Sequence, residues 1–140
     1  MYKGKSSGGI DFFNLLMASK EFNQELGQVT LSAGRLEAEL IQMYKRKGYG
    51  DNFSRMTLGR LIQFGEDNSL LDRNLTAALK MTCKQRNYIT HNIYALFSDM
   101  IDETMLPKAD LIDTDVLTYT EKACETKKNL SDLAGIISKM

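Results

Sequence analysis

The sequence predicts an all-α protein, an up-and-down bundle of four or five helices, on three observations. Apolar side chains recur at intervals of three and four along most of the chain, the period that lines one face of a helix. No segment alternates apolar and polar residues with period two over a strand's length, and valines are few. A single proline in 140 residues leaves little to interrupt helices, and short connections between them would make neighbours antiparallel.

Residues 1–9 read as a short, polar, glycine-rich and flexible tail, and residues 10–140 as one domain. Residues 10–17 (IDFFNLLM) form either a helix of their own or the first turns of the next one. From Phe22 a stripe runs through Leu26, Val29, Ala33, Leu36, Leu40 and Tyr44. It stops at Lys45, Arg46 and Lys47 followed by Gly48, basic residues in a last turn with glycine beyond it, which is a helix-end signal. Residues 57–64 allow about two turns, with Gly65 expected to close them. Ser69 is the expected cap of the next helix, with Asp72 well placed against its dipole. Its stripe is Leu71, Leu75, Ala78, Thr82, Ile89, Ile93, Leu96 and Met100, in one long helix or in two joined near Lys84. Pro107 lies in a connection, and Asp113 or Thr114 caps a last helix carrying Val116, Leu117, Ala123, Leu130, Leu133 and Ile137. Phe12, Phe13, Leu15, Leu16 and Met17 are expected to pack against the bundle rather than form an exposed patch.

Eighteen basic and eighteen acidic side chains cancel, so any attraction for phosphate must be local. The sole histidine, His91, excludes a metal site needing two histidines from one chain, and no cofactor is expected. Cys83 and Cys124 lack CxxC spacing and are expected as two reduced thiols in a cytoplasmic protein. No apolar run approaches the ~20 residues needed to span a bilayer. Phosphate-binding, dinucleotide-binding and GxSxG templates are all missing. Cys83 and His91, eight residues apart, would lie roughly 12 Å apart along a helix axis, too far to form a nucleophile pair.

The segment with chemical content is Lys84-Gln85-Arg86-Asn87-Tyr88-Ile89-Thr90-His91-Asn92. With Ile89 as the centre of the buried stripe, His91 and Asn87 each fall about 160° away, on the face opposite the core. Arg86 falls about 60° from that centre, at the stripe's edge, its stem on apolar surface and its head free. Arg86 and His91 would then flank a cleft. Lys80 and Lys84 add a local basic cluster, either for RNA phosphates or as a solvated face.

The string Arg86-Asn87-Tyr88-Ile89-Thr90-His91 resembles the R-x4-6-H signature of the HEPN superfamily, in the form where a polar residue follows the arginine. The order of segments over residues 10–140 is similar to that family's as well. The resemblance implies a helical bundle that dimerises through its motif helix. It also implies a metal-independent endoribonuclease site, with Arg86 on phosphate, His91 in proton transfer and Asn87 orienting groups beside them. One histidine per chain cannot easily be both acid and base, so the implied mechanism divides those roles between two subunits. The position two residues after His91 is a modification-site tyrosine in one branch of the family. Here it is Ile93, followed by Tyr94, and that regulation is not carried over. The functional expectation is a homodimeric RNA-cutting toxin or effector of a bacterial defence or toxin–antitoxin pair, with a cognate antitoxin or regulatory protein as partner. The alternatives are a catalytically silent helical interaction module, in which Arg86 engages an acid of its own bundle, and a nucleotide-binding domain using Arg86 and Lys84.

Overall fold

A computed structural model describes residues 6–90 and 113–140, and those residues form five α-helices and no strand. They are α1 (Ser6–Ala18), α2 (Lys20–Arg46), α3 (Leu58–Asp67), α4 (Arg73–Thr90) and α5 (Asp113–Ser138). The expected all-α bundle is therefore observed. Helix α1 starts at Ser6, four residues before the expected start, and α4 runs unbroken through Lys84. His91, Ile93, Leu96, Met100 and Pro107 lie outside the described residues.

Helices α2 and α5 pack along each other as the spine, α4 lies against α5, and α3 bridges α2 and α4. The α2 stripe is buried at Phe22, Val29, Ala33, Leu36, Leu40, Met43 and Tyr44, with Leu26 packed at its edge. A buried aliphatic side chain contributes about 1.5–3 kcal/mol. The exposed pair Lys80–Glu66 is screened by solvent and adds little beside this, so apolar burial holds the bundle. Polar groups set the register instead: across the spine, Lys127 Nζ reaches Glu25 Oε2 at 2.6 Å and donates to Gln28 Oε1 at 2.8 Å. That bond to Glu25 holds the Lys127 ammonium above its ordinary pKa.

Residues 10–17 belong to a separate helix because Ser19 breaks the run. Its extended backbone and its Oγ, which accepts from Phe22 N at 3.1 Å, cap α2. The expected burial of the α1 apolar residues holds for two of the five. Phe12 and Leu16, one turn apart, are buried, whereas Phe13, Leu15 and Met17 are exposed. Leu117 and Ala78, expected in buried stripes, are exposed too.

Helix ends follow the predicted glycine logic once and depart from it twice. After α2, Gly48 has φ +85°, and the amides of Gly48 and Tyr49 bond back to Lys45 and Tyr44 oxygens, closing the helix. After α3 the same arrangement is made by Ser69, at φ +54°, with Leu70 N bonded to Gly65 O at 2.8 Å. Ser69 is thus the end of α3 and not the cap of α4. Asp72 caps α4, its Oδ1 accepting from Leu75 N at 2.7 Å.

Gly65 does not close α3 but sits within it, for a packing reason. The buried Tyr44 hydroxyl donates to Leu61 O at 2.6 Å and is also hydrogen-bonded to the Gly65 backbone, so it docks on a turn of α3. A Cβ at residue 65 would collide with that hydroxyl and stand 2.6 Å from Leu71 Cδ1. Phe53 and Phe64 pack on the same ring, with centroids 5.5 and 5.0 Å away.

Gly65→Ala is therefore expected to destabilise by about 1–3 kcal/mol. Gly27→Ala, where an added Cβ meets nothing within 4 Å, should instead stabilise by about 0.5–1 kcal/mol. Urea unfolding of the two variants checks this, and equal signs would contradict the docking. Burial pushes the Tyr44 pKa up to about 12, so the folded state keeps a proton that the unfolded chain loses above its ordinary value of 10.0. Tyr44 thus contributes stability that is complete below that ordinary value and lost as pH rises towards the folded value. Wild type should lose on the order of 2 kcal/mol more than Tyr44→Phe across that window. Denaturation at several alkaline pH values measures the difference, and parallel curves would refute it.

Candidate functional site

Helix α4 is held from two sides. Towards α5, Tyr88 Oη lies 3.0 Å from Tyr119 Oη, and Asn129 Nδ2 donates to Gln85 Oε1 at 3.1 Å. Towards α2 and α3 it presents Cys83, Arg86, Asn87 and Thr90. Its buried positions are Thr76, Leu79, Thr82, Cys83 and Ile89. At about 100° per residue, their mean direction falls roughly 15° from Arg86 and roughly 70° from Ile89.

This rotation corrects two expectations. Ile89 is buried at 1% exposure, but it marks the α5 edge of the buried arc and not its centre. Arg86 stands near the centre instead of at the edge. Asn87 is not opposite the core: it is half-buried at the arc's other edge, and its Nδ2 points at Cys83 Sγ, 3.8 Å away. Lys84 is exposed, as a solvated cation is.

Between the helices lie two adjoining grooves. The larger, about 480 Å³, is lined by Glu37 of α2, residues 56–59 at the start of α3, and Arg86 and Asn87 of α4. The smaller, about 260 Å³, is lined by Thr30, Ala33, Gly34, Glu37, Arg86 and Thr90. Glu37 and Arg86 belong to both and form the divide between them. Thr57 fixes the α3 border, because its Oγ1 caps that helix by accepting from Arg60 N at 3.2 Å.

The Arg86 guanidinium is half-buried, and its Nε is shut off from solvent with no hydrogen-bond acceptor. Neither Arg86 nor Glu37 makes an ion pair among the described residues. A buried donor without an acceptor costs about 1–3 kcal/mol. The fold bears that cost at a position where an apolar side chain would serve packing better. Arg86 completes the spacing Leu79, Thr82, Cys83, Arg86, the i, i+3, i+4, i+7 pattern of a core-facing stripe.

Sequence reasoning missed Glu37, and the signal was of the same kind. Ala33, Leu36, Glu37 and Leu40 have that spacing, with a carboxylate where the stripe calls for an apolar residue.

The expected basic cluster is not brought together. Lys80 lines a different groove, with Arg73 and Thr76, and its Nζ donates to both Glu66 carboxylate oxygens at 2.9 and 2.8 Å. That hydrogen bond holds the Glu66 carboxyl below its ordinary pKa, so the Lys80 charge is already matched. Cys83 is buried and Cys124 exposed, both as free thiols. Among the described residues, no group of three or more histidine, cysteine or acidic side chains is gathered to hold a metal ion. Nor is any helix among them long and apolar enough to cross a membrane.

No protein-family model, curated protein or solved structure matches the chain.

The cost of the unpaired guanidinium gives a test of whether Arg86 serves the fold. Arg86→Met keeps the stem and removes the unsatisfied donor, so stability is expected to stay level or rise by up to about 1 kcal/mol. Thermal denaturation reads this, and a loss above about 2 kcal/mol would make Arg86 a structural clamp.

Proposed function

We propose that the protein is a HEPN-type, metal-independent endoribonuclease acting as a homodimer through the α4 motif segment. In this reading its setting is a bacterial defence or toxin–antitoxin pair in the cytoplasm. The observation that carries the reading is the Arg86 guanidinium at the divide of an open two-part groove, with a buried Nε lacking an acceptor and no acid paired to it among the described residues. A cation in that state is prepared to receive an anion from outside the chain, and a planar guanidinium matches two phosphate oxygens through paired donors. A module in which Arg86 served its own bundle calls for an acidic partner, which no described residue supplies.

The chemistry follows from the arrangement and from the motif. Internal cleavage of RNA needs a cation at the scissile phosphate together with proton transfer, and it needs no metal ion. Arg86 takes the phosphate and stabilises the charge that builds on it. Asn87, on the same wall, orients the sugar or phosphate through its amide. His91 transfers a proton, a role assigned from the motif's resemblance. The overall charge of zero confines binding to this groove, so RNA affinity should be modest and, with few phosphates contacted, should fall with salt on a shallow slope.

Purified protein is expected to cut RNA in the presence of a chelator, leaving 2′,3′-cyclic phosphate and 5′-hydroxyl ends. Arg86→Ala and His91→Ala should each lower the rate by about 10²–10³-fold. Denaturing gel electrophoresis of a labelled oligoribonucleotide measures this. Parent protein that leaves RNA intact, or a His91→Ala variant as fast as the parent, would overturn the proposal.

A further inference from the structure

We infer that Glu37 is a catalytic residue of this site, the proton acceptor for the attacking 2′-hydroxyl. The inference rests on the ribonuclease reading and departs from the division of acid and base between two histidines. Three observations carry it. Glu37 occupies a core-facing position of α2, between Ala33 and Leu40, yet it is only half-buried and opens onto both grooves. It lines each groove together with Arg86, and no other described acidic or basic side chain lines either one. Its carboxylate makes no ion pair among the described residues, so the proton-accepting oxygens are not already committed to a cation.

A carboxylate and a guanidinium on opposite walls have complementary tasks when a ribose phosphate lies between them. Arg86 holds the phosphate. Glu37, across the groove, is the only described titratable group there able to accept the proton of the adjacent 2′-hydroxyl. The charged group facing it from α4 is Arg86, while α3 presents Thr57 and no ionisable side chain to the groove. In the step, the 2′-O–H proton passes to a Glu37 oxygen as the 2′-oxygen bonds to phosphorus. The bond from phosphorus to the 5′-oxygen breaks, and that oxygen leaves with a proton; with Glu37 as the acceptor, the proton transfer that the motif's resemblance gives to His91 becomes this donation. No oxidant, reductant or metal enters the balance. Each chain would then hold both proton-transfer groups, and a second subunit would not be needed to supply the base.

The test compares wild type with Glu37→Gln, which keeps shape and hydrogen bonding but cannot accept the proton. Initial rates are measured on a labelled oligoribonucleotide between about pH 4 and 7. Wild type is expected to climb to a plateau across this range. Glu37→Gln should be about 10²–10⁴-fold slower and should rise about tenfold per pH unit throughout, driven by hydroxide. A variant within threefold of wild type with the same plateau overturns this assignment and leaves the ribonuclease reading standing. A slower variant that keeps the plateau also overturns it, because Glu37 would then only position Arg86. Wild type that cuts no RNA overturns both readings together. If Glu37→Gln fails to fold, Glu37→Asp replaces it, with a slower rate and a retained plateau expected, and loss of the plateau counting against the assignment.

Discussion

The hydrogen bond from the Tyr44 hydroxyl to Leu61 O, at 2.6 Å, is the contact on which the site's shape depends. Helix α3 is only ten residues long, too short to hold a fixed angle by its own stripe. Tyr44 docks it on α2 at one turn, and the absent Cβ of Gly65 makes that approach sterically available. Phe53, Phe64 and Tyr49 then close an aromatic cluster around the joint. The larger groove lies between Thr57 and Gly59 at the start of α3 and Arg86 and Asn87 of α4, so the placement of α3 sets one of its walls. Hydrogen bonds of α4 to Tyr119 and Asn129 on its other side fix how far Arg86 turns into that space.

Within this frame, two helices each place one charged side chain where the apolar pattern has a vacancy. Glu37 and Arg86 each interrupt an apolar stripe, at the i+4 and the i+7 position of its repeat, and they do so facing a common groove. Opposite charges at such positions would ordinarily be expected to pair directly. Here they remain unpaired, and the buried Arg86 Nε has no acceptor at all. Stability and local consistency are both given up at this place, while the described apolar core follows the hydrophobic pattern. A groove that keeps both signs of charge available suits a ligand carrying a phosphate and an acidic hydroxyl side by side.

Much of the fold was legible because the α2 stripe is long, regular and ended by a basic turn and glycine. The α4 stripe was read with the wrong centre for a physical reason. Its buried arc includes two threonines, Thr76 and Thr82, a residue type that does not advertise burial as leucine does. Ile89, the most apolar residue near the motif, therefore stood in for an arc that is centred on Arg86. The same error moved Asn87 to the solvent side. Gly65 was read as a helix end, and only the three-dimensional neighbourhood of Tyr44 shows it to be a point of close approach. Arg86 was found by its spacing to His91. Glu37 was passed over because a carboxylate in a helix is so often merely solvated, although its place in the stripe set it apart. Lys80 looked like a partner of Arg86 in sequence, but its true neighbour is Glu66 on α3, fourteen residues away.

The central claim is that Arg86 waits for a phosphate. Its Nε–H can be followed directly by nitrogen–proton NMR while a non-cleavable 2′-O-methyl oligoribonucleotide is added. The account predicts a free-state Nε–H with the signature of an unbonded donor, shifting on addition of the oligonucleotide and returning as salt is raised. An Nε–H already hydrogen-bonded in the free protein, or one that does not move when the oligonucleotide saturates, would contradict it.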